Sequence, residues 1–412
     1  MRSFLLLLAA AASLLEAQTG IPAKEYQERR QKLQKSLDGA LILFGANESD
    51  DIHLAFFQDS NFLYLTGWRE PGAAMMITPT EEILFLPPRN ERAEIFTGKK
   101  LVAEDANAKE KTGFAKVLPR SAIESNFQRI AESNEKLYVI SNDPQVQKLR
   151  SLAVLHDYAN AATPIGRLRV VKSTAEVELI TKATDASVLA HKAAWKAIKP
   201  GQFEYQVATE MTNVYFEQGC ERHAYPPIVG SGPNSVILHY MSNKRRMDSG
   251  EVVVMDVGAE CSDYATDITR TIPTNGKFTP RQREIYEIVL GAQKAAIAAM
   301  KPGVRMSGDA TSLTQIVRDY FNSHGKDLHG APLGKYFTHG LGHQVGLDVH
   351  DPEAAQTIQA GMVVTIEPGL YIPEENIGVR IEDTVLMTEN GPKVLSAGLP
   401  KEVDEIEKLV GK

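Results

Sequence analysis

In the second half of the chain, apolar and polar residues repeat with a helical period in two long runs, residues 175–198 and 282–300. Each run is stopped by the same tripeptide, Lys199-Pro200-Gly201 and Lys301-Pro302-Gly303. A second helical run follows each stop, residues 203–218 ended by Gly219 and residues 310–323 ended near Gly325. Each helix pair leads into an apolar strand that carries one carboxylate, Asp256 within residues 252–258 and Glu367 within residues 362–369. An acidic partner strand comes next in both cases, residues 265–271 with Asp267 and residues 379–384 with Glu382. Three features recurring in the same order predict two diverged halves, each helix–helix–strand–strand, related by a pseudo-twofold axis.

The first half has a different pattern. Residues 26–37 and 123–132 read as helices, and short apolar runs at 40–44, 62–66, 73–78, 83–86 and 139–140 read as strands between Gly and Pro punctuation. Alternating strands and helices predict an α/β domain that ends near 165, with the small and polar residues 160–166 as a linker. At the start, Arg2 precedes an apolar stretch over 4–12 and Leu14-Leu15, followed by Ala17. That stretch is shorter than the ~20 residues a bilayer needs. It reads as a signal peptide cleaved near Ala17, which implies export to the periplasm or the exterior and no stable membrane insertion after cleavage. The expected organisation is a signal peptide over 1–17, an α/β domain over 18–165 and an α+β catalytic domain over 166–412.

Composition narrows the partners. The 412 residues are 43% hydrophobic and 24% charged with a net charge of −7, and no basic run suggests nucleic acid or an anionic membrane surface. Cys220 and Cys261, the two cysteines, form no disulfide framework and read as small buried hydrophobes.

The chemistry lies in the repeated carboxylates and a histidine cluster. Strand alternation puts Asp256 on the face of Val252 and Val254, Glu367 on that of Val363 and Thr365, and Glu382 on that of Arg380 and Thr384. An ionised carboxylate on such a face is costly unless paired or bound to metal. Each alone reads as a structural ion-pair residue. Four in symmetric positions, together with His339, His343 and His350, favour a shared metal site. A ligand set of four carboxylates and one histidine is mostly hard oxygen, which suits Mn²⁺, with Zn²⁺, Co²⁺ or Fe²⁺ also able to bind. Four negative charges are balanced better by two divalent ions roughly 3.5–4 Å apart than by one.

Several motifs carry a closer resemblance. They are His339-Gly-Leu-Gly-His343 with Leu347-Asp-Val-His350-Asp351, Thr365-Ile-Glu367-Pro-Gly-Leu-Tyr371, Gly378-Val-Arg380-Ile-Glu382-Asp383 and Ile237-Leu-His239-Tyr240. With Tyr225 and Gln58-Asp-Ser-Asn-Phe62-Leu-Tyr64-Leu-Thr-Gly67, they make the chain resemble the aminopeptidase P family of M24 peptidases, with prolidases next. The resemblance implies a pita-bread (methionine aminopeptidase-like) catalytic domain with Asp256, Asp267, His343, Glu367 and Glu382 as metal ligands. It further implies that Glu367 takes the nucleophile's proton and that His350 hydrogen-bonds the scissile carbonyl. His239 and His339 would serve substrate and proton transfer, Arg380 would position Glu382 or hold the proline end, and Tyr225 would line the proline pocket. The implied reaction is release of an N-terminal residue that precedes proline, from proline-containing peptides, by a homo-oligomer (dimer or tetramer). Xaa-Pro dipeptidase activity is the nearest alternative, and a non-catalytic binding protein of the same fold is a more distant one.

Overall fold

The computed structural model describes residues 20–49, 51 and 54–411, so the expected signal peptide lies outside them. The chain divides into two compact units, Met1–Leu168 and Arg169–Lys412.

The first unit is built on a mixed six-stranded sheet in the order β4-β3-β2-β1-β5-β6. Its strands are β1 (Ala40–Phe44), β2 (Ala74–Ile77), β3 (Glu82–Leu86), β4 (Lys116–Pro119), β5 (Lys136–Val139) and β6 (Asp157–Asn160). β1, β2 and β3 lie inside the sheet, where the apolar runs at 40–44, 73–78 and 83–86 become buried strands; β1 and β2 are buried at every position and β3 at every position after Glu82. Two expectations fail here. Ser60–Thr66 is a helix, although its run reads as a strand. The Asp59 carboxylate caps it by accepting from the Phe62 amide, and Gly67 ends it at φ 66°. Residues 62–66 are all buried, so no alternation survives to show the period. The expected linker is also ordered: Ala162–Arg169 is a helix, with Pro164 tolerated in its first turn.

In the second unit the duplication is visible element by element. The helices Thr174–Ala197 and Glu204–Glu217 form the first pair, and Pro280–Ala299 and Leu313–His324 form the second. Both long helices open with a capping box, Ser173 with Glu176 and Thr279 with Gln282. The strands are β7 (Arg222–His223), β8 (Ile228–Ser231), β9 (Val252–Asp256), β10 (Ala259–Cys261), β11 (Tyr264–Ala265), β12 (Thr269–Pro273), β13 (Val363–Ile366), β14 (Gly369–Ile372), β15 (Ile377–Arg380), β16 (Asp383–Thr388) and β17 (Gly391–Val394). β12-β9-β8 and β13-β16-β17 are antiparallel three-stranded sheets, joined by β11-β10-β7 and the pair β14-β15. One apolar core fills the space between the helices and these strands, from Trp195 and Tyr215 to Ile285, Val364 and Ile381.

The acidic strands are interrupted where continuous ones were expected. Residues 265–271 split into β11 and β12 with Asp267 in the gap, and residues 379–384 split into β15 and β16 with Glu382 in the gap. Asp256 is the last residue of β9, and Glu367 lies just past the end of β13. All four carboxylates therefore sit where a ladder stops, and they gather at one end of the sheets.

The cysteines correct a further expectation. Cys220 and Cys261 are joined by a disulfide, with Cα atoms 4.2 Å apart. The short β7–β10 ladder pairs Arg222 with Glu260 and so brings the two cysteines side by side from 41 residues apart.

Candidate metal centre

All ten residues singled out above line one cavity of about 430 Å³ in the second unit. Asp256 and Asp267 come from the first half of the repeat, and His343, Glu367 and Glu382 come from the second. The ligand atoms of Asp267, His343 and Glu382 lie within 4.8 Å of one another. His343 Nε2 lies 3.5 Å from Asp267 Oδ2 and 3.5 Å from Glu367 Oε1. Asp256 is held differently. Its Oδ1 accepts from the Tyr225 hydroxyl at 2.6 Å, and its Oδ2 accepts from Arg380.

Two of these residues have partners that the sequence did not assign to them. Tyr225 lines the cavity, but its hydroxyl is directed at Asp256 and Asp267, so it orients carboxylates. Arg380 reaches Glu382 only through Thr269: Arg380 Nε donates to Thr269 Oγ1 at 3.1 Å, and that hydroxyl donates to Glu382 Oε2 at 2.6 Å. The terminal guanidinium nitrogens of Arg380 donate to Asp256 and to the Tyr371 hydroxyl, the latter at 2.8 Å.

The hydrogen-bond partners fix the histidine tautomers. His343 Nδ1 lies 3.1 Å from the Gln344 carbonyl, which can only accept, so Nδ1 carries the hydrogen. The Nε2 lone pair then faces two carboxylates. Acceptors facing acceptors need a cation or a proton between them, and a backbone-anchored histidine is the usual arrangement of a metal ligand. The other oxygen of Glu382, Oε1, is buried and has no hydrogen-bond partner among the described residues. These two observations fit a divalent cation among Asp267, His343, Glu367 and Glu382.

The electrostatics agree. Among the protein groups alone, burial and then the charges of Asp267, Glu367 and Asp256 raise the Glu382 carboxyl well above the usual range. Burial likewise pushes Glu367 up to about 7, against the opposing charge of His343. For His343 burial acts downward, but Asp267 and Glu367 push it up to about 9. The site collects negative charge faster than Arg380 offsets it, and it draws in protons or metal to compensate.

His339 belongs to a separate chain of bonds. Its Nδ1 donates to the Gly340 carbonyl at 2.7 Å, and its Nε2 lies 2.9 Å from the Tyr371 hydroxyl. Burial and then Arg380 lower its pKa to about 4, so the ring is neutral. His350 lies beside His343, with ring centroids 3.9 Å apart. His239 is on the cavity wall next to Leu238 and Met241.

Sequence reasoning assigned nothing to Tyr371, Thr269, Thr365 or Glu353. Thr365 accepts from the His343 amide at 3.0 Å and donates to Glu367 Oε1 at 3.2 Å, and Glu353 lies on the cavity wall. Tyr371 had a signal. It pairs with Gly378 across β14–β15, which makes it the diagonal neighbour of Arg380 on the same face.

A duplicated helix–helix–strand–strand unit with a carboxylate–histidine cavity at its centre defines a metallopeptidase of the pita-bread class. Residues 178–389 match metallopeptidase family M24, and residues 26–139 match the aminopeptidase P N-terminal domain. The chain belongs to family M24 and, within it, to the aminopeptidase P group. It is 36% identical to a Xaa-Pro aminopeptidase of Haemophilus influenzae, over 95% of this chain and 98% of the relative. It is 33% identical to a Xaa-Pro dipeptidase of Pyrococcus furiosus, over 90% of this chain and 98% of the relative. Among solved structures, aminopeptidase P of Escherichia coli in its low-pH form superposes with a TM-score of 0.85 at 31% identity, covering 94% of this chain and 98% of that one.

Proposed function

We propose that this protein is a Xaa-Pro aminopeptidase that removes an N-terminal residue preceding proline by metal-assisted hydrolysis. The observation that carries the proposal is the convergence of His343 Nε2 on Asp267 and Glu367, beside a Glu382 Oε1 that has no hydrogen-bond partner among the described residues, inside a carboxylate-lined cavity. The similarity to named Xaa-Pro aminopeptidases over nearly the full length supports the substrate class. Asp256, Asp267, His343, Glu367 and Glu382 would hold two divalent cations, Mn²⁺ by preference. Zinc is compatible with this site type, since a zinc-substituted E. coli aminopeptidase P is among the similar structures. Bound cations of this kind activate water and polarise a carbonyl oxygen.

The chain's own residues supply the rest. Glu367, steadied by Thr365, accepts and passes on the proton released in hydrolysis. His350 projects from the cavity wall to hydrogen-bond the scissile carbonyl as negative charge develops there. Neutral His339, fed by Tyr371 and Arg380, and His239 on the wall hold the substrate and relay protons. A peptide bond before proline has no N–H, so recognition falls to the ring and the free amino end.

Export to an oxidising compartment is part of the same proposal, and the Cys220–Cys261 disulfide supports it. Self-association is supported by Ile95 and Phe96, each 79% exposed on a helix that buries no residue. The deciding experiment compares a tripeptide Xaa-Pro-Yaa with a dipeptide Xaa-Pro under Mn²⁺. Release of the first residue from the tripeptide is expected. Cleavage of the dipeptide alone would assign a dipeptidase, and cleavage of neither by the metal-loaded protein would overturn the proposal.

A further inference from the structure

The loop between His343 and His350 rests on a buried charge cluster outside the metal centre. Asp351 follows His350 directly, and its side chain is 1% exposed. Its Oδ1 accepts from Arg169 at 2.5 Å, and its Oδ2 accepts from Lys172 at 3.0 Å. Arg169 also reaches Asp348 Oδ2 at 2.7 Å, and Lys172 reaches Gln344 Oε1 at 3.4 Å. Two cations thus meet two carboxylates, with the Asp348 amide adding a third donor to Asp351 at 3.3 Å. Gly346 makes room for this: a Cβ there would lie 2.7 Å from the Asp351 carboxyl carbon.

The backbone closes over the same point. The Asp351 amide donates to the Gln344 carbonyl at 2.9 Å, and the Gln344 side chain donates to the Pro352 carbonyl at 3.0 Å. His343 has its own anchorage on β13 through Thr365, by way of both its amide and its carbonyl. His350 has none. Among the described residues its side chain makes no hydrogen bond, only the ring contact with His343. Where that imidazole sits is therefore set by the backbone, and the nearest fixed point on that backbone is Asp351.

We infer that Asp351, clamped by Arg169 and Lys172, is a positioning residue that aims His350 at the reacting carbonyl. This rests on the role proposed above for His350. A buried carboxylate shared by two cations has few alternative geometries, because leaving either charge unpaired is costly. Such a cluster transmits little slack. Displacing a positioned group by 1 Å costs catalysis about 100-fold.

The test is a double-mutant cycle in the metal-loaded full chain, with turnover, KM, metal content and melting temperature all measured. Asp351→Asn is expected to lower kcat by about 10- to 100-fold, with KM and metal content close to wild type. In the His350→Ala background the same change is expected to lower kcat less than about twofold, because the group being aimed is gone. Lys172→Met provides a milder probe that keeps Arg169 on Asp351, and it serves if Asp351→Asn does not fold. Additive losses in the two backgrounds would reduce Asp351 to a structural residue and overturn the inference. So would unchanged kcat in both clamp variants, with the reading of His350 left standing. Unchanged turnover in His350→Ala would remove that reading and the inference with it.

Discussion

The Tyr371 hydroxyl lies between Arg380 and His339, 2.8 Å from the guanidinium and 2.9 Å from the imidazole Nε2. Arg380 donates to it, and it donates onward to a ring whose other nitrogen is already committed to the Gly340 carbonyl. One phenol thus couples the cation that holds Asp256 to a histidine that lines the cavity. Tyr371→Phe keeps the ring and removes the bridge. A lost hydrogen bond to a charged group is worth about 1.5–3 kcal/mol, so kcat is expected to fall roughly tenfold or more with metal content unchanged. Steady-state kinetics alongside metal analysis decide it, and wild-type kcat in Tyr371→Phe sinks the coupling.

Metal should act on stability as well as on activity. Asp267, Glu367 and Glu382 face one another in a buried cavity, and protein groups leave Glu382 Oε1 unpartnered. Mn²⁺ at 100 times its Kd is expected to stabilise the fold by about 2.7 kcal/mol per site. Chelation should lower the melting temperature and abolish turnover together, and metal analysis should find about two ions per chain. A melting temperature indifferent to Mn²⁺ argues against a cation at these residues.

How far the sequence revealed this site depended on what kind of signal each part left. The duplicated halves were legible because helix stops and carboxylates recur in order, and the helices Thr174–Ala197 and Pro280–Ala299 begin within two residues of the periodic runs. All ten residues chosen from motifs reach one cavity. Their partners were less legible. Strand alternation put Glu382 on the face of Arg380, yet the break between β15 and β16 turns Glu382 toward Thr269 and leaves Arg380 to Asp256. A two-residue break in a strand is decided by tertiary packing, and periodicity carries no trace of it. The helix Ser60–Thr66 and the Cys220–Cys261 bond were hidden for the same reason: full burial erased the first pattern, and a sequence separation of 41 set the second pair apart.

The disulfide joins the end of the helix Glu204–Glu217 to β10, beside the Arg222–Glu260 ion pair at 2.7 Å. Tyr225 lies two residues past the end of β7, so this corner carries the phenol that bonds Asp256 and Asp267. Replacing both cysteines by serine is expected to cost about 2–4 kcal/mol of stability. Urea unfolding of the oxidised wild type, the reduced wild type and the double variant measures it. Equal midpoints for all three would mean the bond contributes nothing.

Behind the metal centre, Asp383 makes a buried ion cluster that sets the protein's behaviour in acid. Its carboxylate is fully buried and accepts from Arg270 at 2.7 Å, Lys401 at 2.6 Å and the Ser396 hydroxyl at 2.7 Å. Burial alone would raise its pKa, but Arg270 and Lys401 outweigh that and hold it well below the usual carboxylate range. A depressed folded-state pKa means that, over the pH range between the folded and unfolded values, the unfolded chain binds the extra proton. The stabilisation is therefore complete above the unfolded value near 3.9 and is lost as pH falls through the folded value, at up to about 1.4 kcal/mol per pH unit. Asp383→Asn leaves two buried cations short of a partner and should cost about 3–5 kcal/mol at pH 7. Below pH 4 the wild type loses this contribution while the variant has none to lose, so the gap between them narrows with acid. Urea unfolding of both proteins from pH 7 down to pH 2 tests the sign directly, and a gap that stays constant or widens below pH 4 contradicts a depressed Asp383.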